Sequence, residues 1–260
     1  MAMRDPNFIR SEARSAALLE RFGIDCPSFN VEDVASALGI EVIDGGLTNA
    51  DARLVRHEGG TGTIRINASV QETGRRRFSI AHEIGHWELH PNVSQGYLCT
   101  AGDMRDYSRS PEEAEANWFA ATLLMPKLLL PVVLFKNDPG FGVIREIAKG
   151  FQTTLTAAAR RLVELSKQPV LLISSNNGTV SWVMRSKSAG DYFVRCGSEI
   201  PKYSLTAETV AQGIAEGAME EMDWDIWFPD LRVPDDSELF EEVRYSANYG
   251  IALTLLWMPA

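Results

Sequence analysis

The run Arg77-Phe78-Ser79-Ile80-Ala81-His82-Glu83-Ile84-Gly85-His86-Trp87 constrains this chain more than any other stretch. It sets His-Glu-x-x-His among apolar and small residues, on what reads as a helix. Residues four apart on a helix lie one above the other, so His82 and His86 can point at one centre. Ile80, Ala81, Ile84 and Gly85 would bury that helix rather than leave it on the surface. Buried imidazoles need partners for their ring nitrogens, and a shared metal ion supplies one. Glu83, between them, can reach a water on that metal and is the candidate general base. The competing reading is an amphipathic helix with two solvated or core-satisfied histidines.

A third ligand must come from elsewhere. Position 92 is Asn92, which excludes the extended metzincin pattern with a histidine ten positions after the first. His90 lies two turns beyond His82, about 12 Å away at ~1.5 Å per residue, too far to ligate on a straight helix. Its candidate roles are a hydrogen bond to a ligand, contact with substrate, or helix termination before Pro91. The segment Ser110 to Pro126 reads as a second helix. Ser110 is its N-cap, Pro111 its first residue, and acids fill the first turn. Glu112, Glu113 and Glu115 all compete for the ligand role there. Ser110-x-x-Glu113 is also a capping box, in which Glu113 would bond the Ser110 backbone N–H instead.

The pair RRRFSIAHEIGHWELHP and EEAEANWFAATLLMP resembles the ImmA/IrrE family of zinc metallopeptidases. In that family a Glu-x-Glu-Ala-Asn-x-Phe-Ala helix follows the zinc helix. The resemblance implies a zincin-like peptidase fold and Glu113 as the third ligand, with Glu115 the next candidate. It also implies a protein substrate, an XRE-type helix-turn-helix repressor cut at one site to relieve repression during stress, DNA damage or mobile-element control. Zn²⁺ is the expected metal for two imidazoles and a carboxylate, with Mn²⁺ or Fe²⁺ as alternatives. Such a set leaves a position for water, whose proton Glu83 would take. His90, Tyr97 and Tyr107 are the candidates for contacting substrate or its oxyanion, and the sequence does not separate them.

With 260 residues the chain is long enough for two compact units. The expected class is α+β: a mainly helical peptidase domain with a small sheet at 1–138, a helix-turn-helix-like segment at 139–167, and an α+β domain at 168–260. Sequence patterning predicts helices at Phe8 to Phe22 and Val31 to Leu38, then strands Ala52 to His57 and Gly62 to Asn67 around Glu58-Gly59-Gly60. Asn177-Gly178 between apolar runs predicts a second hairpin. A helix from Thr206 to Glu221 and strands at Trp224 to Phe228 and Ile251 to Met258 complete the expectation. IrrE-like proteins carry a GAF-like module at this position, so the resemblance implies a regulatory or docking domain. Trp182, Trp224, Trp227 and Trp257 are candidates to line a small-molecule site there, with the hydrophobic core as the simpler place for aromatics.

Charge bears on partners. Residues 140–167 carry a net +3, whereas the whole chain carries −10 and residues 168–260 carry −8. DNA affinity rests on basic side chains meeting phosphates, so direct DNA binding through Arg160 and Arg161 is disfavoured. Cys26, Cys99 and Cys196 are far apart and odd in number, which suits a reducing cytoplasm. No signal-peptide pattern or uninterrupted apolar span of membrane length is visible. The expected protein is a cytoplasmic zinc endopeptidase. The alternative is a non-catalytic or DNA-binding regulator with a structural zinc.

Overall fold

The computed structural model describes residues 5–48, 50–91, 98–99, 110–130, 138–234 and 236–259. These form two compact units, Met1–Leu130 with Ile147–Ala157, and Pro131–Glu146 with Ala158–Ala260. The described chain is α+β, as expected.

In the first unit, α1 (Phe8–Arg21) is capped by Asn7, whose side chain accepts from Arg10 N, and α2 (Val31–Ala37) by Asn30. A sheet follows, from β1 (Ile40–Gly45), β2 (Ala52–Arg56), β3 (Gly62–Asn67) and β4 (Leu98–Cys99), in the order β1-β3-β2-β4. The β2–β3 hairpin turns through Gly59 and Gly60 at φ of 86° and 81°, values that favour glycine. Strand β1, parallel to β3, was not anticipated. Leu54, Ile64 and Ile66 point into the core while Arg53, Val55 and Arg65 point out. That alternation marks a sheet with one face buried.

Two helices cross the core beside the sheet, α3 (Thr73–Leu89) and α4 (Pro111–Leu124). Helix α3 is fixed at its start by consecutive arginines. Arg75 pairs with Asp51, Arg76 with Glu32 and Asp44, and Arg77 with the Phe29 carbonyl. At its other end, Arg56 donates to the carbonyls of His86 and Trp87 at 3.0 and 2.9 Å. The Trp87 carbonyl faces Pro91, which has no N–H to offer it, while the His86 carbonyl also accepts from the His90 N–H at 3.0 Å. Helix α4 is buried along most of its length, with Ala116, Phe119, Ala120, Leu123 and Leu124 fully buried, so it lies inside the unit. Gly85 lets α3 and α4 approach closely, since a Cβ there would sit 3.1 Å from the Ala116 Cα. Helix α1 covers the pair: Phe8 stacks on Trp118 at 4.5 Å, and Arg10 donates to the Leu89 carbonyl at 2.8 Å.

The helices of the predicted helix-turn-helix-like segment are α5 (Phe141–Gly150) and α6 (Leu155–Leu165). Neither basic residue proposed to touch DNA is offered for that purpose. Arg161 is 1% exposed and ion-paired with Glu164, and Arg160 lies 3.8 Å over the Trp182 ring.

The second unit is built on an antiparallel sheet of β5 (Val170–Asn176), β6 (Thr179–Arg185), β7 (Glu216–Glu221), β8 (Phe240–Ser246) and β9 (Ile251–Trp257), ordered β6-β5-β9-β8-β7. Asn177 and Gly178 both have positive φ, 48° and 80°, the turn that Asn-Gly predicts. Two expectations fail here. The helix predicted over Thr206 to Glu221 ends early as α7 (Leu205–Gln212), because Gly213 adopts a left-handed C-cap and the chain returns as β7 against β8. Trp224 to Phe228 is not a strand but holds the short helix α8 (Trp224–Trp227), whose aromatics pack around the core side of the sheet. The buried Glu241 carboxylate ties these pieces together. It accepts from the Leu205 and Thr206 amides, the Thr206 hydroxyl and Trp227 Nε1.

Candidate metal centre

Helix α3 carries His82 and His86 four residues apart, and their Nε2 atoms lie 3.0 Å from each other. Helix α4 brings Glu113 to the same point, its Oε2 3.1 Å from His82 Nε2 and its Oε1 3.3 Å from His86 Nε2. All three side chains are buried, and the group is arranged as a metal-holding cluster. The competition at Glu113 resolves into a division of labour. Its backbone N–H goes to Ser110 Oγ at 3.2 Å, as half a capping box, while its carboxylate faces the imidazoles. Glu115, two residues on, faces elsewhere and bonds His90 Nε2 at 2.9 Å.

Asn117, which sequence reasoning did not single out, stands one turn after Glu113 and meets His82 Nδ1 at 2.9 Å. An amide oxygen only accepts, so His82 Nδ1 donates and its Nε2 keeps a lone pair for the cluster. The clue was available: Glu113 and Asn117 are four apart, so they share a helix face. His90 ends α3 and meets His86 Nδ1 through its own Nδ1 at 3.0 Å. Glu83 is fully buried on α3, within electrostatic reach of His82. Tyr97 and Tyr107 lie outside the described residues.

These atoms fit a zinc ion. Zinc–ligand bonds of about 2.0–2.1 Å in a tetrahedron set ligand atoms roughly 3.3 Å apart, close to the separations found. Electrostatics points the same way. Burial disfavours the His86 imidazolium and pushes its pKa down to about 4, although Glu113 acts in the opposite sense. Burial also works against charge on Glu113, yet its bonds to His82 and His86 hold the carboxyl well below the usual range. His82 is desolvated too, but the Glu113 carboxylate raises it above its ordinary value. Burial lowers His90, keeping it neutral at neutral pH. The Glu113 carboxylate thus favours positive charge at this point, and a dication shared by the three side chains supplies it.

The sequence family described as the IrrE N-terminal-like domain, a peptidase family, matches residues 35–163. An immunity region protein of Bacillus phage phi105 is 30% identical over 97 residues, 37% of this chain. The matched part spans 59% of that relative's length. Among solved structures, a Mycobacterium tuberculosis transcriptional regulator shares the fold at a TM-score of 0.60 and 15% identity, over 96% of this chain and 88% of that one.

Proposed function

We propose that this chain, whose residues 35–163 match the IrrE N-terminal-like peptidase family, is a zinc endopeptidase acting on a transcriptional repressor. The observation that carries the reading is the buried convergence of His82, His86 and Glu113 at 3.0 to 3.3 Å, with Glu83 on the same helix. His82 Nε2, His86 Nε2 and the Glu113 carboxylate would hold the metal. Zinc bound there would lower the pKa of a water to about 7 and polarise the scissile carbonyl. Glu83 takes the proton of the attacking water on its carboxylate and delivers it to the departing amine nitrogen. Burial of the whole set keeps bulk water away, which strengthens each charge interaction in it.

The substrate we propose is an XRE-type helix-turn-helix repressor, cut in the cytoplasm at one site. The setting is supported by names that belong to relatives: an immunity region for the phage protein and a transcriptional regulator for the fold neighbour. Peptidase chemistry resides in residues 1–138 on this proposal. Residues 168–260, with their net −8, dock the basic surface of the repressor or bind a regulatory ligand. Trp224 borders an open groove of about 650 Å³ that suits the second role, whereas Trp227 and Trp257 are buried in the core.

The test compares new protein N-termini in cells producing wild type or Glu83→Gln. The expected result is one new internal terminus in a helix-turn-helix repressor, present only with wild type. If wild type holds zinc yet creates no such terminus, the centre is a structural metal site in a regulator.

A further inference from the structure

Beyond the three ligands runs a chain of buried hydrogen bonds that the peptidase reading does not require. Glu115 is fully buried, accepts the Asn7 backbone N–H at 2.7 Å, and meets His90 Nε2 at 2.9 Å. His90 in turn meets His86, Nδ1 to Nδ1, at 3.0 Å. The direction of each bond follows from chemistry. A carboxylate only accepts, so His90 Nε2 carries the proton facing Glu115. Neutral imidazole has one N–H, so His90 Nδ1 is then an acceptor. It must receive its bond from His86 Nδ1–H, which leaves the His86 Nε2 lone pair facing His82 and Glu113.

We infer that Glu115 and His90 are positioning residues that hold His86 in its metal-binding tautomer, anchored through the Asn7 amide to the start of α1. The inference rests on the zinc-centre reading and adds to it a reason for the tautomer. The two ligand histidines are set in the same sense by different means: Asn117 directs His82, and the Glu115–His90 pair directs His86. A histidine partner adds something an amide does not. Its polarity is set by the next group along, so reversing the donor–acceptor sense at Glu115 reverses it at His86. Such outer partners of metal-bound histidines are commonly worth about 10- to 100-fold in metal affinity.

Glu115→Gln separates this role from simple packing. The amide keeps an acceptor for Asn7 and presents N–H donors to His90 Nε2. His90 then carries its proton on Nδ1, faces the Nδ1–H of His86, and drives that proton to Nε2. The experiment reads the His86 tautomer by nitrogen NMR of metal-free protein near pH 8, together with zinc affinity by chelator competition and metal-free melting temperature. In Glu115→Gln the expected result is a shift of His86 toward the Nε2–H tautomer and zinc binding about 10- to 100-fold weaker, with melting nearly unchanged. His90→Leu should weaken zinc binding similarly. His90→Asn, which restores an acceptor oxygen near the Nδ1 position, should recover most of the loss. If Glu115→Gln does not fold, the His90 pair alone carries the test. Wild-type tautomer and zinc affinity within about twofold in both Glu115→Gln and His90→Leu overturn the inference, as does a change in melting alone. A wild type that binds no zinc defeats the metal reading instead, while the tautomer measurement still decides the relay.

Discussion

At the scale of the residue, the cluster is legible as a balance of protons. The Glu113 carboxylate favours the protonated form of His82 against burial, while burial holds His86 down at about 4. Zinc binding at His82 Nε2 requires that nitrogen to be free of its proton. Near pH 6, below the raised pKa of His82 and well above the value of about 4 for His86, calorimetry in buffers of different ionisation enthalpy should find about one proton released per zinc. Two released would mean that His86 is protonated as well. Zinc affinity should rise with pH until His82 is neutral and then level off. Glu83→Gln should keep zinc yet lower turnover by about 10²- to 10⁴-fold, the usual scale for loss of a general base; a near-normal rate would remove Glu83 from the mechanism.

Helix α3 and helix α4 set the precision of the site, and here the sequence was both clear and incomplete. The His-Glu-x-x-His spacing and the Ser110-Pro111 start were readable because each rests on local geometry. The destination of Glu113 was ambiguous from its own helix, since a first-turn carboxylate can serve its backbone or reach outward. Only the packing of α4 on α3 decides it. That packing depends on Gly85, whose missing Cβ would stand 3.1 Å from the Ala116 Cα and 3.2 Å from its carbonyl oxygen. Backbone cannot yield as a side chain tip does. Gly85→Ala should lower stability by about 1–2 kcal/mol despite the better helix propensity of alanine, and should weaken zinc binding by moving Glu113 away. Chemical denaturation with and without zinc reads both. An alanine variant as stable and as tight as wild type would mean the helices can separate without cost to the site. The expected helix over Thr206 to Glu221 is cut short by Gly213 and by pairing with β8, a strand whose run of Glu241, Glu242 and Arg244 hid its place in the sheet. Trp224 to Phe228 forms a short helix instead of a strand, with the Trp227 indole tied to the buried Glu241 carboxylate.

For the molecule as a whole, charge and metal binding give the broadest consequences. The −8 of residues 168–260 makes association with a basic repressor a salt-sensitive event on our account. Raising salt from about 0.05 to 0.5 M should weaken that association by an order of magnitude or more, chiefly through a slower on-rate; an affinity indifferent to salt would leave the acidic unit without this role. The metal itself is tested most directly by zinc per chain, by mass spectrometry, in purified wild type, Glu83→Gln, His86→Ala and Glu113→Ala. About one zinc is expected in wild type and in Glu83→Gln, and almost none in His86→Ala and Glu113→Ala. A wild type that takes up no zinc when supplied with it, or a Glu113→Ala variant that keeps its full complement, would contradict the proposed metal centre.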